Sequence, residues 1–133
     1  MPFVDSNIFV YHLANDPQFG KKASAILSSI EKGERSHTST WAMNQVTSYL
    51  RWKKFLLAIP VFIDLLRSLP TLEKHETTFL DITTAYALQQ EKNLPWTLWD
   101  DLVIVTQMMR LGIREIYSND KDFDNFPSVK RIY

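Results

Sequence analysis

Short segments that favour strands alternate with longer helical patterns along the whole chain, and this alternation limits the possible folds more than any other feature of the sequence. Strands that alternate with helices are typical of a parallel sheet with helices on both faces. We therefore expect an α/β fold, a three-layer sandwich in which helices flank a short parallel sheet of four or five strands. The strand-like segments are "PFV", "RSHTS", "PTLEKH", "REIYS" and "VKRIY".

The composition is that of an ordinary globular chain and excludes several kinds of site. The chain has 133 residues, of which 45% are apolar, so we expect one domain over residues 1–133. The 15 basic and 15 acidic residues balance, so no overall charge attracts the chain to nucleic acid or anionic lipid. Cysteine is absent, which excludes disulfides, thiolate ligands and cysteine nucleophiles and agrees with a cytoplasmic location. The most apolar window, residues 55–66, is too short to span a bilayer, so we expect no membrane segment.

Acidic residues follow two of the predicted strands and begin the clearest helix. Asp5 follows "PFV", and Asp120 follows "REIYS". Because ligands of open α/β sheets bind outside the carboxyl ends of the strands, these two acids can meet at one edge. Asp100 and Asp101 begin the helix "LWDDLVIV", and helix starts often lie at that same edge. The sequence thus permits three or more carboxylates around one pocket.

A group of carboxylates indicates a divalent cation. Carboxylates that lie together repel each other, which raises at least one pKa unless a cation lies between them. Mg²⁺ and Mn²⁺ are the usual ions of oxygen-only sites, and they bind phosphate and activate water for attack on phosphorus. Asp5, Asp100 and Asp120 could instead each cap a helix or turn. Capping and metal binding are compatible, and these residues leave both interpretations open.

Other catalytic motifs are absent from the sequence. Only three glycines occur, so there is no Gly-rich phosphate loop, and neither H-E-x-x-H nor G-x-S-x-G is present. His12, His37 and His75 are scattered without paired ligand spacing. We therefore expect surface or structural roles for the histidines rather than metal binding.

Three segments, in the order "FVDSNIFVYHL", "LWDDLVIV" and "IYSNDKDFD", resemble the acidic motifs of PIN-domain ribonucleases. The chain is most similar to the small VapC-type toxins of toxin–antitoxin pairs. The resemblance covers essentially the whole chain and is strongest over residues 97–126. It implies a parallel sheet between helices and a ribonuclease that depends on Mg²⁺ or Mn²⁺.

The resemblance also implies which residues form the site. It brings Asp5, Asp100 and Asp120 to one catalytic metal centre. Polar residues beside these acids would orient them, as groups that hydrogen-bond metal ligands do. These polar residues are Ser6, Asn7, Ser118 and Asn119.

The sequence departs from the family pattern at Gln45, which stands where the family usually has glutamate. An amide offers a carbonyl oxygen without negative charge, so metal affinity should fall. Asp101 or Asp122 could compensate. Because Asp101 points about 100° around the helix from Asp100, we rank it below Asp100. Asp122 would act through a water molecule.

The surface supports expectations about partners. Arg51, Lys53 and Lys54 either contact RNA phosphates or form a solvated turn. Residues 41–68 are rich in large apolar side chains, which predicts a homodimer face or a groove for an antitoxin protein. The expected partners are therefore an RNA substrate, an antitoxin and a second copy of the chain. Because of Gln45, the alternative function is a weakly active or inactive PIN-fold module that binds RNA or protein.

Overall fold

The computed structural model describes residues 1–133 and contains a five-stranded parallel sheet. The strand order is β3-β2-β1-β4-β5, so the first strand lies at the centre. This arrangement confirms the predicted α/β fold and the short parallel sheet. The strands are β1 (Phe3–Val4), β2 (Ser36–Ser39), β3 (Leu72–His75), β4 (Glu115–Tyr117) and β5 (Lys130–Arg131).

Helices cover both faces of the sheet and enclose two hydrophobic cores. Phe3 belongs to one core and Val4 to the other, because successive side chains of a strand point to opposite faces. The core around Phe3 is built mainly by α6, and the core around Val4 by α1 to α4. The helices are α1 (Ser6–Leu13), α2 (Gly20–Glu31), α3 (Thr40–Trp52), α4 (Ala58–Arg67), α5 (Phe79–Lys92) and α6 (Trp99–Leu111), with 3-10 helices at Trp96–Leu98 and Lys121–Asn125.

Local sequence signals account for several helix boundaries. The capping box of Thr78 and Asp81 starts α5. Gly112 adopts a left-handed conformation with φ of 71° and ends α6. None of the helices has both the length and the hydropathy needed to cross a bilayer.

The register of the two central strands determines where the site forms. Phe3 pairs with Ile116 and Val4 with Tyr117, so β1 and β4 end at the same edge. The Asp5 N–H donates to the Tyr117 carbonyl at 3.0 Å, which continues the pairing by one residue. The residue after each strand therefore lies beside its counterpart, and opposite ends of the chain meet at the carboxyl edge of the sheet.

Candidate functional site

Asp5 is buried at the junction of β1 and α1, with 4% of its surface exposed. The Ser6 N–H donates to Asp5 Oδ1 at 2.8 Å, so the carboxylate caps α1. The Ser118 hydroxyl donates to Asp5 Oδ2 at 2.7 Å, and Asn7 Nδ2 donates to Ser118 Oγ at 3.3 Å. Burial raises the Asp5 pKa to about 6, although the Ser118 and Ser6 donors offset part of the rise. The carboxylate is thus held in a fixed orientation at an electrostatic cost.

Three further carboxylates lie together, and two of them are close enough to Asp5 to interact with it, since the charge of Asp120 raises the pKa of Asp5 and the charge of Asp5 raises the pKa of Asp101. Oxygen atoms of Asp101, Asp120 and Asp122 all lie within 4.8 Å of one another. The Asp122 N–H donates to Asp120 Oδ1 at 2.9 Å, and the Asp120 N–H donates to Ser118 Oγ at 3.0 Å. Ser118 therefore links Asp5 to the loop that carries Asp120. We call Asp5, Asp101, Asp120 and Asp122 the acid cluster.

The carboxylates of the acid cluster repel one another when no cation is bound. Burial raises the pKa of Asp101, and the charges of Asp120 and Asp5 raise it further. A hydrogen bond with the Asp120 carboxyl group also favours the protonated form of Asp101. A divalent cation would relieve this repulsion, so the cluster has the donor chemistry and the charge of an Mg²⁺ or Mn²⁺ site.

The two adjacent aspartates at the start of α6 face different places. Asp101 faces the acid cluster, whereas Asp100 is exposed and lines a separate cavity of about 390 Å³. Adjacent residues of an α-helix point about 100° apart, so only one of the two can face the cluster. Residues from Leu102 to Met108 are all buried, and the packing of this segment sets the rotation of α6. The sequence showed that two acids begin the helix, but it did not show how the helix is rotated about its axis.

Gln45 also lines the cavity beside Asp100, and its Oε1 atom is buried without a hydrogen-bond partner. Asn7 Oδ1, close to Ser118, is likewise buried and unpartnered. Leaving such an atom unsatisfied costs about 1–3 kcal/mol, so most buried polar atoms have a partner. Asn7 Oδ1 lies beside the hydrogen bonds of the acid cluster, whereas Gln45 Oε1 lies in the separate cavity of Asp100. Both are oxygen atoms of the kind that Mg²⁺ and Mn²⁺ bind.

The other expected site residues are distributed over three places. Ser6 contacts Asp5 as described, whereas Asn119 Nδ2 donates to the Tyr11 hydroxyl at 3.3 Å, away from the acids. Arg51 Nη2 donates a hydrogen bond to Ser48 Oγ at 3.4 Å, and Lys53 Nζ lies 4.7 Å from the centre of the Trp52 ring. Lys54 adopts a positive φ of 61° and lines a different, apolar cavity.

Sequence reasoning gave Asn44 and Ser48, which line the cavity beside Asp100, no role in the site. Trp41, Asn44 and Ser48 share this cavity with Gln45. Trp41 and Ser48 lie four residues before and three residues after Gln45, which places them on one helix face. Helical spacing from Gln45 was therefore the signal that could have found them.

Three solved structures share this fold over nearly their whole length. VapC20 of Mycobacterium tuberculosis, described as a sarcin-ricin loop cleaving toxin, has a TM-score of 0.78 at 16% identity, covering 96% of this chain and 95% of its own. VapBC2 of Rickettsia felis, bound to a DNA fragment from its promoter, has a TM-score of 0.70 at 17% identity, covering 98% and 96%. A toxin–antitoxin complex from Klebsiella pneumoniae has a TM-score of 0.64 at 19% identity, also covering 98% and 96%. Identities this low show a common fold.

The family comparison is more specific than the structural one. No curated protein matches the chain in sequence. The family model of the PIN domain, however, matches residues 3–129, a span that includes every strand except β5 and all members of the acid cluster. The chain therefore belongs to the PIN domain family.

Proposed function

We propose that this chain is a divalent-metal-dependent ribonuclease that hydrolyses RNA phosphodiester bonds and serves as the toxin of a toxin–antitoxin pair. The observation that carries the proposal is the meeting of Asp5, Asp101 and Asp120 at the carboxyl edge of the central strands. Ligand sites of open α/β sheets lie at this edge. VapC20, which shares the fold, is described as a toxin that cleaves the sarcin-ricin loop.

We assign Asp5, Asp101 and Asp120 as the catalytic metal ligands, with Asp122 as a supporting acid. Asp100 is left out of this assignment because it lines the neighbouring cavity. When bound, Mg²⁺ or Mn²⁺ supplies charge that lowers the pKa of a coordinated water and stabilises the negative charge on phosphate. Asp5 is oriented for ligation by the Ser118 hydroxyl.

We propose that the RNA lies across the cavity beside Asp100. The Trp41 ring offers a stacking surface, and the Gln45 amide offers an unpartnered oxygen. Arg51, which contacts Ser48 at this cavity, is suited to bind a phosphate, and we assign Lys53 and Lys54 more distant contacts with the RNA backbone. An RNA substrate implies a cytoplasmic location.

We propose that an antitoxin covers the exposed apolar surface of the α3–α4 region. The side chains of this surface are each at least 47% exposed, although they are large and apolar. Phe55, Leu56 and Leu57 line a cavity of about 490 Å³ that is largely hydrophobic. Exposed apolar patches of this kind mark interaction sites, and a partner helix could lay its apolar face there. We define this antitoxin surface as Trp52, Phe55, Leu56, Leu57 and Val61.

The same surface could join two copies of the chain, as the expected homodimer requires. The comparison structures include a toxin–antitoxin complex, which favours the antitoxin as the occupant. A homodimer could use a second group of exposed apolar side chains, of which Phe79 and Leu80 on α5 are 78% and 64% exposed.

The alternative is a PIN-fold module that binds RNA or protein with little or no catalysis. Gln45 is the observation that favours it, because the amide brings no negative charge to the cavity next to the cluster. The acid cluster favours the enzyme, because four carboxylates in one place are costly unless they bind a cation.

The two functions are separated by a cleavage assay on structured RNAs with Mn²⁺ or Mg²⁺ and with EDTA. The enzyme proposal expects metal-dependent cleavage that Asp101→Asn removes. Asp100→Asn is the matched control, because it makes the same chemical change at the adjacent residue and should retain most of the activity. Equal cleavage by the wild type and Asp101→Asn would reject the metal assignment. RNA binding without cleavage, in the presence of either metal, would favour the inactive module.

A further inference from the structure

A second group of potential metal ligands lies on the β2–β3 side of the sheet. His37 pairs with Glu73 and Ser39 with His75 in the register of these parallel strands. Paired residues project from the same face, as do residues two apart in one strand. His37, Glu73 and His75 therefore project together, and β2 separates their edge strand β3 from the central strand β1.

The three side chains meet at distances suited to one ion. His37 Nδ1 lies 2.9 Å from His75 Nε2, and Glu73 Oε2 lies 3.5 Å from the first nitrogen and 3.6 Å from the second. A circle through three atoms with these separations has a radius of about 1.9 Å, close to the Zn–N distance of about 2.0–2.1 Å. One position is thus about 2 Å from all three donor atoms, with only small adjustment needed.

The site has a buried side and an open side. The His37 and His75 side chains are 11% and 23% exposed, while that of Glu73 is 50% exposed. The two imidazole rings stack with centroids 5.1 Å apart, so neither ring moves freely. Exposure at Glu73 provides the entry path that an ion requires and leaves room for a water ligand.

We propose that His37, Glu73 and His75 bind one Zn²⁺ ion with water as the fourth ligand. Two imidazoles and a carboxylate form a ligand set that zinc uses where one coordination position stays open. The acid cluster has only oxygen donors and favours Mg²⁺ or Mn²⁺, whereas imidazole nitrogens favour zinc and related transition metals. Binding would tie the edge strand β3 to β2 and stabilise the folded chain.

The competing explanation is an ion-free contact in which one imidazole donates a hydrogen bond to the other. A separation of 2.9 Å suits that hydrogen bond as well. The two explanations differ in what Zn²⁺ does to the ring nitrogens, so the test must observe individual histidines.

The experiment titrates ZnCl₂ into metal-stripped Asp101→Asn protein, in which the acid cluster is weakened, and records imidazole ¹⁵N chemical shifts by NMR. The proposal expects His37 and His75 to shift together and to saturate at one equivalent. His12 is the internal reference, because its Nδ1 contacts Ser24 Oγ at 2.7 Å in a different part of the fold. Absence of any shift at His37 and His75 at one equivalent of Zn²⁺ would overturn the proposal.

Three variants extend the test, and the first is chosen so that the protein stays folded. Glu73→Gln changes a half-exposed side chain and keeps its shape, so the fold should persist. It should lower Zn²⁺ affinity by more than about tenfold, because a loss of about tenfold is already expected when a group that only hydrogen-bonds a metal ligand is removed. His75→Gln should lower it further, and the control His12→Gln should leave it unchanged. Equal Zn²⁺ affinity in these three variants would also overturn the proposal.

Discussion

Carboxylate oxygens of Asp101 and Asp120 lie within 4.8 Å of each other, although one residue begins α6 and the other follows β4. Their mutual repulsion, added to burial, favours a protonated Asp101 when no cation is present. The candidate site of this PIN-domain protein therefore stores unfavourable electrostatic energy that a divalent cation can release.

Asp101→Asn should stabilise the metal-free protein while it removes cleavage. The amide keeps the size of the side chain and relieves the repulsion by Asp120 and Asp5, which we expect to add about 0.5–2 kcal/mol to the free energy of unfolding. Urea unfolding in EDTA measures this change. Asp100→Asn, at an exposed position, should change the stability little, and the same gain in both variants would contradict the explanation.

The titration of Asp5 and Asp101 should lower the stability of the metal-free protein as the pH rises from about 4 to about 8. The folded-state pKa of Asp5 is raised to about 6 from 3.8, and that of Asp101 is also raised. At a pH between the unfolded-state and folded-state pKa values, the folded chain binds more protons than the unfolded chain. For each extra proton bound, the free energy of unfolding falls by up to about 1.4 kcal/mol as the pH rises by one unit. The stabilisation by these two carboxyl groups is fully present below their unfolded-state pKa and is lost as the pH rises through their folded-state pKa.

Unfolding titrations at several pH values, with EDTA and with Mn²⁺, measure this dependence. Mn²⁺ should stabilise the protein more at pH 8 than at pH 5, because protons compete with the metal for the same carboxylates. The Asp101→Asn variant should show a shallower dependence in EDTA. A wild-type stability that falls with pH no more steeply than that of Asp101→Asn in EDTA would contradict the predicted sign.

Gln45→Glu should increase metal affinity and cleavage. The substitution adds a negative charge to the cavity that Asp100, the neighbour of Asp101, also lines, at a position whose amide oxygen is now buried and unpartnered. We expect a gain in Mn²⁺ affinity of about tenfold, together with lower stability of the metal-free protein. Calorimetric Mn²⁺ titration measures the affinity. Gln90→Glu is the control, since it makes the same chemical change at an exposed position on α5 outside this cavity, and an equal gain there would argue for a general charge effect.

Substitutions on the antitoxin surface should abolish association without unfolding the chain. Leu57 and Val61 are 88% and 56% exposed, so glutamate at both positions is compatible with the fold. We expect wild-type protein to copurify with a partner or to self-associate at micromolar concentration, and the double variant to sediment as a monomer. Met109→Glu is the control, because Met109 is also exposed, at 52%, but lies on α6 outside both proposed surfaces. A wild-type chain that is strictly monomeric and free of any partner would count against the surface.

Arg110→Ala should destabilise the fold without acting on the site. Arg110 Nε donates to Asp81 Oδ1 at 2.7 Å, and Asp81 is 1% exposed. Burial alone would raise the Asp81 pKa, but hydrogen bonds from Arg110 and Thr78 outweigh it and lower the pKa. Because Arg110 is partly exposed, we expect a loss of about 1–3 kcal/mol, measured by urea unfolding. Removing Asp124 from the exposed Arg131–Asp124 pair should change the stability much less.

Much of the fold could be predicted because its signals are local. The short strands, the turn residues and the acid after "PFV" are all visible within a few residues of one another. The position of an acid after a strand places it at the carboxyl edge of a parallel sheet whatever the details of packing. Asp5 and Asp120 follow this rule, and the structure puts both at that edge.

The sequence by itself thus determined the fold class, the edge at which the acids gather and the oxygen-rich chemistry of the site. Only the tertiary structure decided that Asp101 rather than Asp100 faces Asp120, because α6 is buried on every side from Leu102 to Met108 and its apolar pattern carries no preferred rotation. The meeting of His37 and His75 likewise depends on the register of β2 and β3. Helix rotation and strand register are set by packing between distant segments, and local residue patterns do not contain that information.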